Sequence, residues 1–223
     1  ITDIQLNGRG RVGKQFISNN NKGIWMSMLI RPNIHPKDAY FMTLVAAVAV
    51  CRVLNEILLL DATIKWPNDI LVNGKKICGI LEEIGAELDK TNFVVIGIGL
   101  NVNQLAKDFP GEIRQIATSI CLECSQHEFN KIFLIKKILE NFEKEYNKLL
   151  QQNNDQIIEY CRRYSATLGK HVLIDSINKR GKAVDLNSKG NLIVQFDDGR
   201  MEEIFSGEVS VEGILGLTEN EKL

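Results

Sequence analysis

The sequence lacks the features that mark several large classes of protein. It shows no secretory leader, and its five cysteines are odd in number and scattered, so we expect free thiols in a reducing, cytoplasmic compartment. Its longest apolar run, LVAAVAV, is too short to span a bilayer, and we expect no membrane partner. Its formal net charge is only -1, which gives no general tendency to bind polyanions, and we expect no nucleic-acid partner.

A zinc centre has little support in the sequence. Cys121, Cys124 and His127 have C-x-x-C-x-x-H spacing, but a structural zinc site usually needs a fourth ligand and no second cluster follows. The favoured interpretation is a short helix that buries two small residues and has His127 near its end.

The pattern of residues along the chain predicts two domains. The 223 residues, 44% of them apolar, are enough to bury a sizeable core. Up to residue 167, strands alternate with helices predicted at 37–60, 128–150 and 154–166. From residue 168 onward short strands recur between turn signals, which predicts a small β-barrel. The domains are therefore placed at 1–167 and 168–223.

The stretch GRGRVGKQ, residues 8–15, matches two nucleotide-binding patterns that its context does not support. Both G-x-G-x-x-G and G-x-x-x-x-G-K need a helix directly after the glycines, and the second needs Ser or Thr where Gln15 stands. A strand, IWMSMLI, is predicted to follow instead. The stretch is then a flexible glycine loop whose guanidinium groups, on Arg9 and Arg11, could grip a carboxylate or a phosphate. A solvated basic surface loop is the alternative.

A second stretch, KWPNDILVNGKKICGILEEI at 65–84, indicates a function when it is taken together with the glycine loop. Within it Asn73-Gly74 predicts a hairpin turn, because both positions of such a turn need positive φ. The sequence resembles the biotin protein ligases (biotin–[acetyl-CoA-carboxylase] ligases), whose motifs occur here in the family's order. These motifs are GRGRVG, KWPND, a hairpin, K-x-x-G-I-L-x-E, GIGLNVN, FPGEIRQIATSI and GEVSV. The resemblance covers essentially the whole chain. It points to members without an N-terminal DNA-binding domain, since no helix-turn-helix segment precedes the ligase region.

One segment of that family is missing from the sequence. In the family a helix and a strand with a Ser/Thr-Asn motif precede the arginine loop and help to hold biotin, whereas this chain begins at Ile1, after that point. We expect that upstream residues were removed. The alternative is a protein that lacks part of its biotin pocket.

The resemblance implies a fold and an activity. The fold is α+β: a mixed β-sheet with helices packed on one face, as in class II synthetases, followed by a small SH3-like β-barrel. In the first half-reaction, the biotin carboxylate attacks the α-phosphorus of ATP, with Mg²⁺ as cofactor. In the second, a lysine of a biotin carboxyl carrier domain attacks biotinyl-5′-AMP. Many relatives form homodimers, but nothing in the sequence decides between dimer and monomer.

The resemblance also implies a site. Because the first step brings two anions together, positioning and cationic side chains should dominate its chemistry. The catalytic candidates are Arg9, Arg11 and Lys76. The biotin-binding candidates are Gln5, Gly8, Arg9, Lys76, Gly79, Gly97 and Gly99. The candidates for ATP or the adenylate are Arg11, Trp66, Asn68 and Asn101. Asp69 is the candidate for Mg²⁺, which would take its carboxylate together with phosphate oxygens.

Structural roles compete with these assignments. Lys76 could be a solvent-facing hairpin lysine, and Asn68 could bond its own backbone in an Asx-turn. Trp66 could fill the core. Gln5 could be an exposed strand residue and Asn101 a residue at a strand end.

Two other functions compete as well. A lipoate–protein ligase would use related chemistry on a related fold, although GRGRVG and KWPNDI fit the biotin family better. The second competing function is a non-catalytic module that binds biotin or a carrier domain. If the chain is a ligase, loops 8–18 and 104–117 are expected to order over the reactive acyl phosphate and exclude water.

Overall fold

The computed structural model describes residues 1–124, 128–205, 207 and 209–214, and the statements below concern these residues. The first sheet consists of β1 (Ile24–Ile30), β2 (Ala62–Lys65), β3 (Asp69–Val72), β4 (Lys75–Ala86) and β5 (Thr91–Leu100). Its strand order is β1-β5-β4-β3-β2, and each pairing between these strands is antiparallel. Parallel contacts occur as isolated bridges, from Ile64 to Ser165 and from Lys76 to Ala117.

The predicted hairpin is present between β3 and β4. Asn73 and Gly74 have φ values of 51° and 74°, so both turn positions are in the left-handed region that the Asn-Gly pair favours. A register shift between Ile70 and Leu71 interrupts the β3–β4 ladder close to this turn. Such a bulge bends the strand and redirects side chains, which matters because β3 and β4 both carry candidate site residues.

Among the described residues, five α-helices accompany the first sheet. They are α1 (Pro36–Ala39), α2 (Phe41–Arg52), α3 (Ile120–Cys124), α4 (Lys131–Leu150) and α5 (Asp155–Arg163). The helix α2 packs against β2, β3, β4 and β5 on one side and against α4 and α5 on the other. This confirms the predicted α+β class with helices on one face of the sheet.

The boundaries of the helices differ from the predicted ones for local reasons. The segment expected as one helix at 37–60 consists of α1, α2 and a wider π-helical turn at Val53–Ile57. The helix expected at 128 begins at Lys131, because the side chain of Asn130 caps it by accepting a hydrogen bond from the Phe133 amide at 3.0 Å. The last helix ends at Arg163 and not at 166.

The stretch Pro36–Ile57 is long and apolar enough to cross a membrane by length and composition. In the structure, however, 72% of its apolar window is buried inside the protein, and every residue from Phe41 to Cys51 is buried. A helix that is apolar all round is expected at the centre of a soluble core as well as in a bilayer. The packing of α2 against the sheet accounts for its composition.

The C-terminal part is a small antiparallel sheet. Its strands are β6 (His171–Ile174), β7 (Lys179–Leu186), β8 (Leu192–Phe196), β9 (Met201–Ile204) and β10 (Val209–Val211), in the order β10-β6-β7-β8-β9. This confirms the predicted small β domain, whereas the division at 167/168 stays a prediction. The indole Nε1 of Trp66 donates to the carbonyl oxygen of Gly190 at 2.9 Å. A residue of the KWPND turn therefore holds the second domain against the first.

Candidate functional site

The glycine-rich stretch folds back on itself as a tight loop. The amide of Phe16 donates to the carbonyl oxygen of Gly8 at 3.0 Å and closes it. A glycine is required at this closure, because a Cβ on Gly8 would lie 2.2 Å from the Phe16 carbonyl oxygen. Within residues 1–36, all of which are described, the loop contains a short 3-10 turn at Arg11–Gly13 and α1 starts only at Pro36. The helix that both nucleotide patterns require does not follow the loop.

Two cavities lie beside the loop. The first, which we call the sheet cavity, has a volume of about 260 Å³ and is lined by the loop and by β1, β4 and β5. The second, the interdomain cavity, has a volume of about 380 Å³ and is lined by the turn at 65–69, the loop at 104–117 and the C-terminal domain. The residues that line both cavities are Gly10, Arg11, Phe16, Asn68 and Lys76. These five residues form a shared wall between the cavities.

The shared wall carries two cations and is bordered by one carboxylate. Arg11 Nη1 donates to Asn68 Oδ1 at 3.1 Å. Lys76 Nζ lies 2.7 Å from Asp69 Oδ1, and Asn68 Nδ2 donates to the same oxygen at 3.2 Å. The loop, the KWPND turn and β4 thus converge on one polar network. Because the two cations outnumber the carboxylate, the wall favours anionic groups that approach it from either cavity.

Glycines form the floor of the sheet cavity. Gly79 and Gly99 face each other across β4 and β5. A Cβ on Gly99 would lie 2.6 Å from the ring of Phe16, and a Cβ on Gly79 would lie 3.0 Å from it. A Cβ on Gly97 would meet no atom closer than 3.5 Å. The missing side chains leave room for the Phe16 ring and for a flat group laid against the sheet.

The guanidinium of Arg9 points away from the shared wall. Its Nη2 lies 3.1 Å from the Glu83 carboxylate, and the two side chains are 72% and 47% exposed. Both residues line the outer part of the sheet cavity and not the interdomain cavity. Arg9 is therefore placed to hold the loop beside the sheet cavity, whereas Arg11 is placed between the cavities. The catalytic role proposed for Arg9 stays a prediction.

Gln5 and Asn101 line different cavities and are both already hydrogen-bonded. Gln5 lines the sheet cavity, and its Oε1 accepts a hydrogen bond from Ser18 Oγ at 2.9 Å. Asn101 lines the interdomain cavity but is only 6% exposed. Its Nδ2 donates to the Thr118 carbonyl at 3.0 Å, and its Oδ1 accepts from Gln104 Nε2 at 3.2 Å. The Asn101 side chain thus supports the loop at 104–117 from beneath.

Trp66 combines the two roles between which the sequence could not decide. It is 4% exposed and belongs to the core, and it also lines the interdomain cavity. Its amide donates to Thr167 Oγ1 at 3.0 Å, and its indole donates to the carbonyl of Gly190. Trp66 is therefore held at its main-chain amide and at its indole as part of the cavity wall.

The metal candidates fall in two places. Cys121 is buried and Cys124 half-buried on the short helix α3, while His127 lies outside the described residues. Within the described part of the chain no group of three His, Cys, Asp or Glu side chains could hold a metal ion. Asp69 offers a single carboxylate, which suits a cation that takes most of its ligands from phosphate and water.

The C-terminal domain contributes to the site in a way that the sequence did not predict. Asp175, Val209, Ser210 and Ile214 line the interdomain cavity. They lie more than 100 residues after the KWPND turn, and no local pattern connects them to it. Only the resemblance of the whole chain to a two-domain family could have indicated that the second domain lies beside the first.

Glu82, a half-buried residue with one fully buried carboxylate oxygen, lies on the other face of the sheet. Glu82 on β4 accepts a hydrogen bond from Thr43 on α2, and its second oxygen, Oε1, has no hydrogen-bond partner among the described residues. Burial raises the pKa of Glu82 to about 7, against the opposing effects of Thr43 and of the charge on Arg11. The folded protein therefore holds this proton more tightly than the unfolded chain, and stability falls as pH rises from about 4.5 to 7.

We expect the Glu82→Gln variant to lose this pH dependence. At pH 8 it should be more stable than the unsubstituted protein by about 1–3 kcal/mol, since no ionised group is buried, and at pH 5 the two should be similar. Urea unfolding at both pH values measures the difference. Glu159→Gln, an exposed change on α5, serves as the control. A Glu82→Gln variant with no greater advantage at pH 8 than at pH 5 would contradict the prediction.

Two family models match the chain. Residues 1–101 match the Biotin/lipoate A/B protein ligase family, and residues 167–211 match the Biotin protein ligase C terminal domain.

Individual relatives cover most of the chain. The "Bifunctional ligase/repressor BirA" of Bacillus subtilis (strain 168) is 36% identical over 213 residues, which are 95% of this chain and 65% of that protein. The "Biotin--[acetyl-CoA-carboxylase] ligase" of Mycobacterium tuberculosis is 29% identical over 94% of this chain and 77% of that protein. The chain thus spans about two thirds of the length of the Bacillus relative.

A solved structure shares the fold. The biotin protein ligase from Aquifex aeolicus in complex with biotin and ATP superposes with a TM-score of 0.75 at 28% identity, over 94% of this chain and 86% of that one.

Proposed function

Since the chain belongs to the biotin protein ligase family and carries the family's C-terminal domain, we propose that it activates biotin with ATP and transfers it to a lysine of a biotin carboxyl carrier domain. The observation that carries the proposal is the shared wall. Two cavities of suitable size meet at Arg11 and Lys76, and a reaction between two anions needs cations at the point where they meet. The Aquifex relative, whose complex contains both biotin and ATP, supports this pairing of ligands.

Biotin is assigned to the sheet cavity. Its fused rings would lie on the glycine floor at Gly97, beside the Phe16 ring that packs on Gly79 and Gly99. Gln5 and Arg9 line the same cavity, whereas Gly8 closes the loop and does not line it. With the valeryl chain extended toward Lys76, which also lines this cavity, the carboxylate would reach the shared wall. Holding the carboxylate in line with the phosphorus accounts for several kcal/mol of the barrier in such reactions, about 7–11 at most.

ATP is assigned to the interdomain cavity. Trp66 and Asn68 line one side of it, and the loop at 104–117 lines another. The α-phosphate would lie at the shared wall, where Arg11 and Lys76 neutralise the charge that both reactants bring. Asp69 would hold Mg²⁺ together with phosphate oxygens. The cation would supply further charge neutralisation there.

The first half-reaction joins the biotin carboxylate oxygen to the α-phosphorus and releases pyrophosphate. The second joins the lysine nitrogen of the acceptor to the biotin carbonyl carbon and releases AMP. Neither step needs a side chain of this protein as a nucleophile. The chain's residues therefore act by placing the reactants, by neutralising charge and by keeping water away from the mixed anhydride.

Labelled substrates test the proposal. The protein is incubated with radiolabelled biotin, MgATP and a biotin carboxyl carrier domain, and in parallel with lipoate and a lipoyl domain. Label on the carrier lysine is the expected result. Lipoate incorporation would favour a lipoate–protein ligase, and biotin binding without transfer would favour a non-catalytic module. A carrier with its acceptor lysine changed to arginine is the control. A cytoplasmic location and the absence of a nucleic-acid partner are further proposals that this assay does not address.

A further inference from the structure

An ion pair joins the turn before β1 to the loop at 104–117. Lys22, just before β1, donates from Nζ to Asp108 Oδ2 at 2.5 Å. The two side chains are 35% and 19% exposed, so water screens this pair less than it screens a fully exposed one. Lys22 and Asp108 are 86 residues apart in sequence, so the contact fixes a long-range geometry and not a local turn.

Main-chain contacts show that Lys22 holds the loop at 104–117 at its stem as well as at its tip. The Asn103 amide donates to the Lys22 carbonyl at 2.8 Å, just before the loop begins. Asp108 Oδ2 also accepts the Leu105 amide at 2.7 Å and so caps the short 3-10 turn at Ala106–Asp108. One carboxylate oxygen therefore organises the turn and attaches it to Lys22.

The turn carries part of the nucleotide site. Asp108 itself lines the interdomain cavity, as does the next residue, Phe109, which is 5% exposed. The Phe109 carbonyl accepts a hydrogen bond from Arg114 Nη2 at 3.2 Å, which folds the remainder of the loop over the aromatic side chain. If the turn moved, this part of the cavity wall would move with it.

The other end of the connection reaches the sheet cavity. The Lys22 amide donates to Asn20 Oδ1 at 3.0 Å, and the Asn20 carbonyl accepts from the indole of Trp25 at 2.8 Å. Trp25 lines the sheet cavity. A continuous set of hydrogen bonds therefore runs from the wall of one cavity to the wall of the other, away from Arg11 and Lys76.

We propose that Lys22 and Asp108 are positioning residues, which hold the loop at 104–117 as a wall of the interdomain cavity and so retain ATP and the adenylate. This inference rests on the proposed function and names residues that touch neither reacting atom. The hydrogen bond from Lys22, as the main cause, lowers the pKa of the Asp108 carboxyl, and the hydrogen bond from the Leu105 amide lowers it further.

The expected effect follows from the kind of contact. Hydrogen bonds to charged groups account for a factor of about ten to a hundred in an equilibrium, and the partial exposure of this pair favours the lower end of that range. Lys22→Met removes the cation, and Asp108→Asn removes the anion but keeps an oxygen that can cap the turn. Each variant should raise KM for ATP about tenfold and speed the release of preformed biotinyl-5′-AMP by a similar factor, with kcat within about twofold.

Further variants test whether the contact between Lys22 and Asp108 is the cause of the effect. The double variant Lys22→Met/Asp108→Asn should be no worse than either single variant, because both remove the same contact. Lys22→Arg should restore most of the ATP affinity. Lys107→Met removes a neighbouring exposed lysine from the same turn and should behave as the unsubstituted protein. Equal KM and release rates for Lys22→Met and Lys107→Met would overturn the proposal.

Hydrogen exchange separates this proposal from the proposed function. Amides at 104–117 should exchange faster in Lys22→Met than in Lys107→Met, while those of β4 and β5 should not change. An unsubstituted protein that makes no biotinyl-5′-AMP would refute the proposed function without affecting this comparison. Unchanged exchange at 104–117 would refute the positioning role even in a fully active ligase.

Discussion

Replacement of Lys76 by methionine is expected to slow adenylate synthesis by about a hundredfold to a thousandfold, the range seen when one preorganised charge-stabilising donor is removed from an active site. Two changes add up in this variant. The wall between the cavities loses a cation, and Asp69, whose carboxylate lies 2.7 Å from Lys76 Nζ, keeps its negative charge. The α-phosphate and the biotin carboxylate then meet a wall that carries less positive charge.

Biotin-dependent exchange of labelled pyrophosphate into ATP measures this step without a carrier domain. Lys75→Met is a matched control, because Lys75 is the preceding residue of β4 and lines neither cavity. Since successive strand residues point to opposite sides, the control removes the same charge from the same strand and should keep most of the activity. A Lys76→Met enzyme within tenfold of the Lys75→Met enzyme would show that Lys76 is not a catalytic residue.

The second large effect is expected at the contact between the domains. Gly190 has a φ of 80°, and a Cβ there would lie 2.4 Å from Leu44 Cδ1 and 3.3 Å from the ring of Phe41. Alanine at this position would combine backbone strain with overpacking against α2, each typically about 1–3 kcal/mol. We expect Gly190→Ala to lower stability by about 3 kcal/mol and to weaken ATP binding, because the Trp66 indole loses its acceptor position.

The matched control for this variant is Gly199→Ala. Gly199 has a φ of 82°, and a Cβ there would meet no atom within 4 Å. It therefore reproduces the backbone strain without the collision, at an expected cost of about 1 kcal/mol. Chemical denaturation gives the stabilities, and calorimetry with a non-hydrolysable ATP analogue gives the affinities. Equal losses of stability in the two variants would show that Gly190 does not hold the domains together.

Local sequence patterns predicted the local geometry well. Asn73-Gly74 predicted a hairpin because few residue pairs adopt positive φ at both positions, and the apolar run in α2 predicted a buried helix. The π-helical turn at Val53–Ile57 was not predictable in this way, since the periodicity of an apolar run does not distinguish an α-turn from a wider one. Helix ends were less predictable: the start of α4 was predicted at 128, three residues before Lys131, where the Asn130 cap places it.

The site was predictable where a motif carries it. Arg11 and Lys76 were proposed from the family resemblance, and the structure brings both to the shared wall. The direction of the Arg9 side chain was not predictable, because its partner Glu83 lies 74 residues away and the two adjacent glycine-arginine pairs look alike in sequence. The residues of the C-terminal domain that line the interdomain cavity were not predictable either, because they are distant in sequence from the other site residues.

The hydrogen bond from Trp66 to Gly190 links the shape of the nucleotide compartment to the attachment of the second domain. The same indole lines the compartment assigned to ATP and attaches the β domain, so a change that reshapes the nucleotide wall also loosens the attachment. Variants selected for altered nucleotide preference should therefore carry compensating changes in the turn at 187–190. A fragment cut before the second domain would expose the Trp66 indole and lose one side of its nucleotide compartment, which makes the two-domain unit the smallest useful target for engineering.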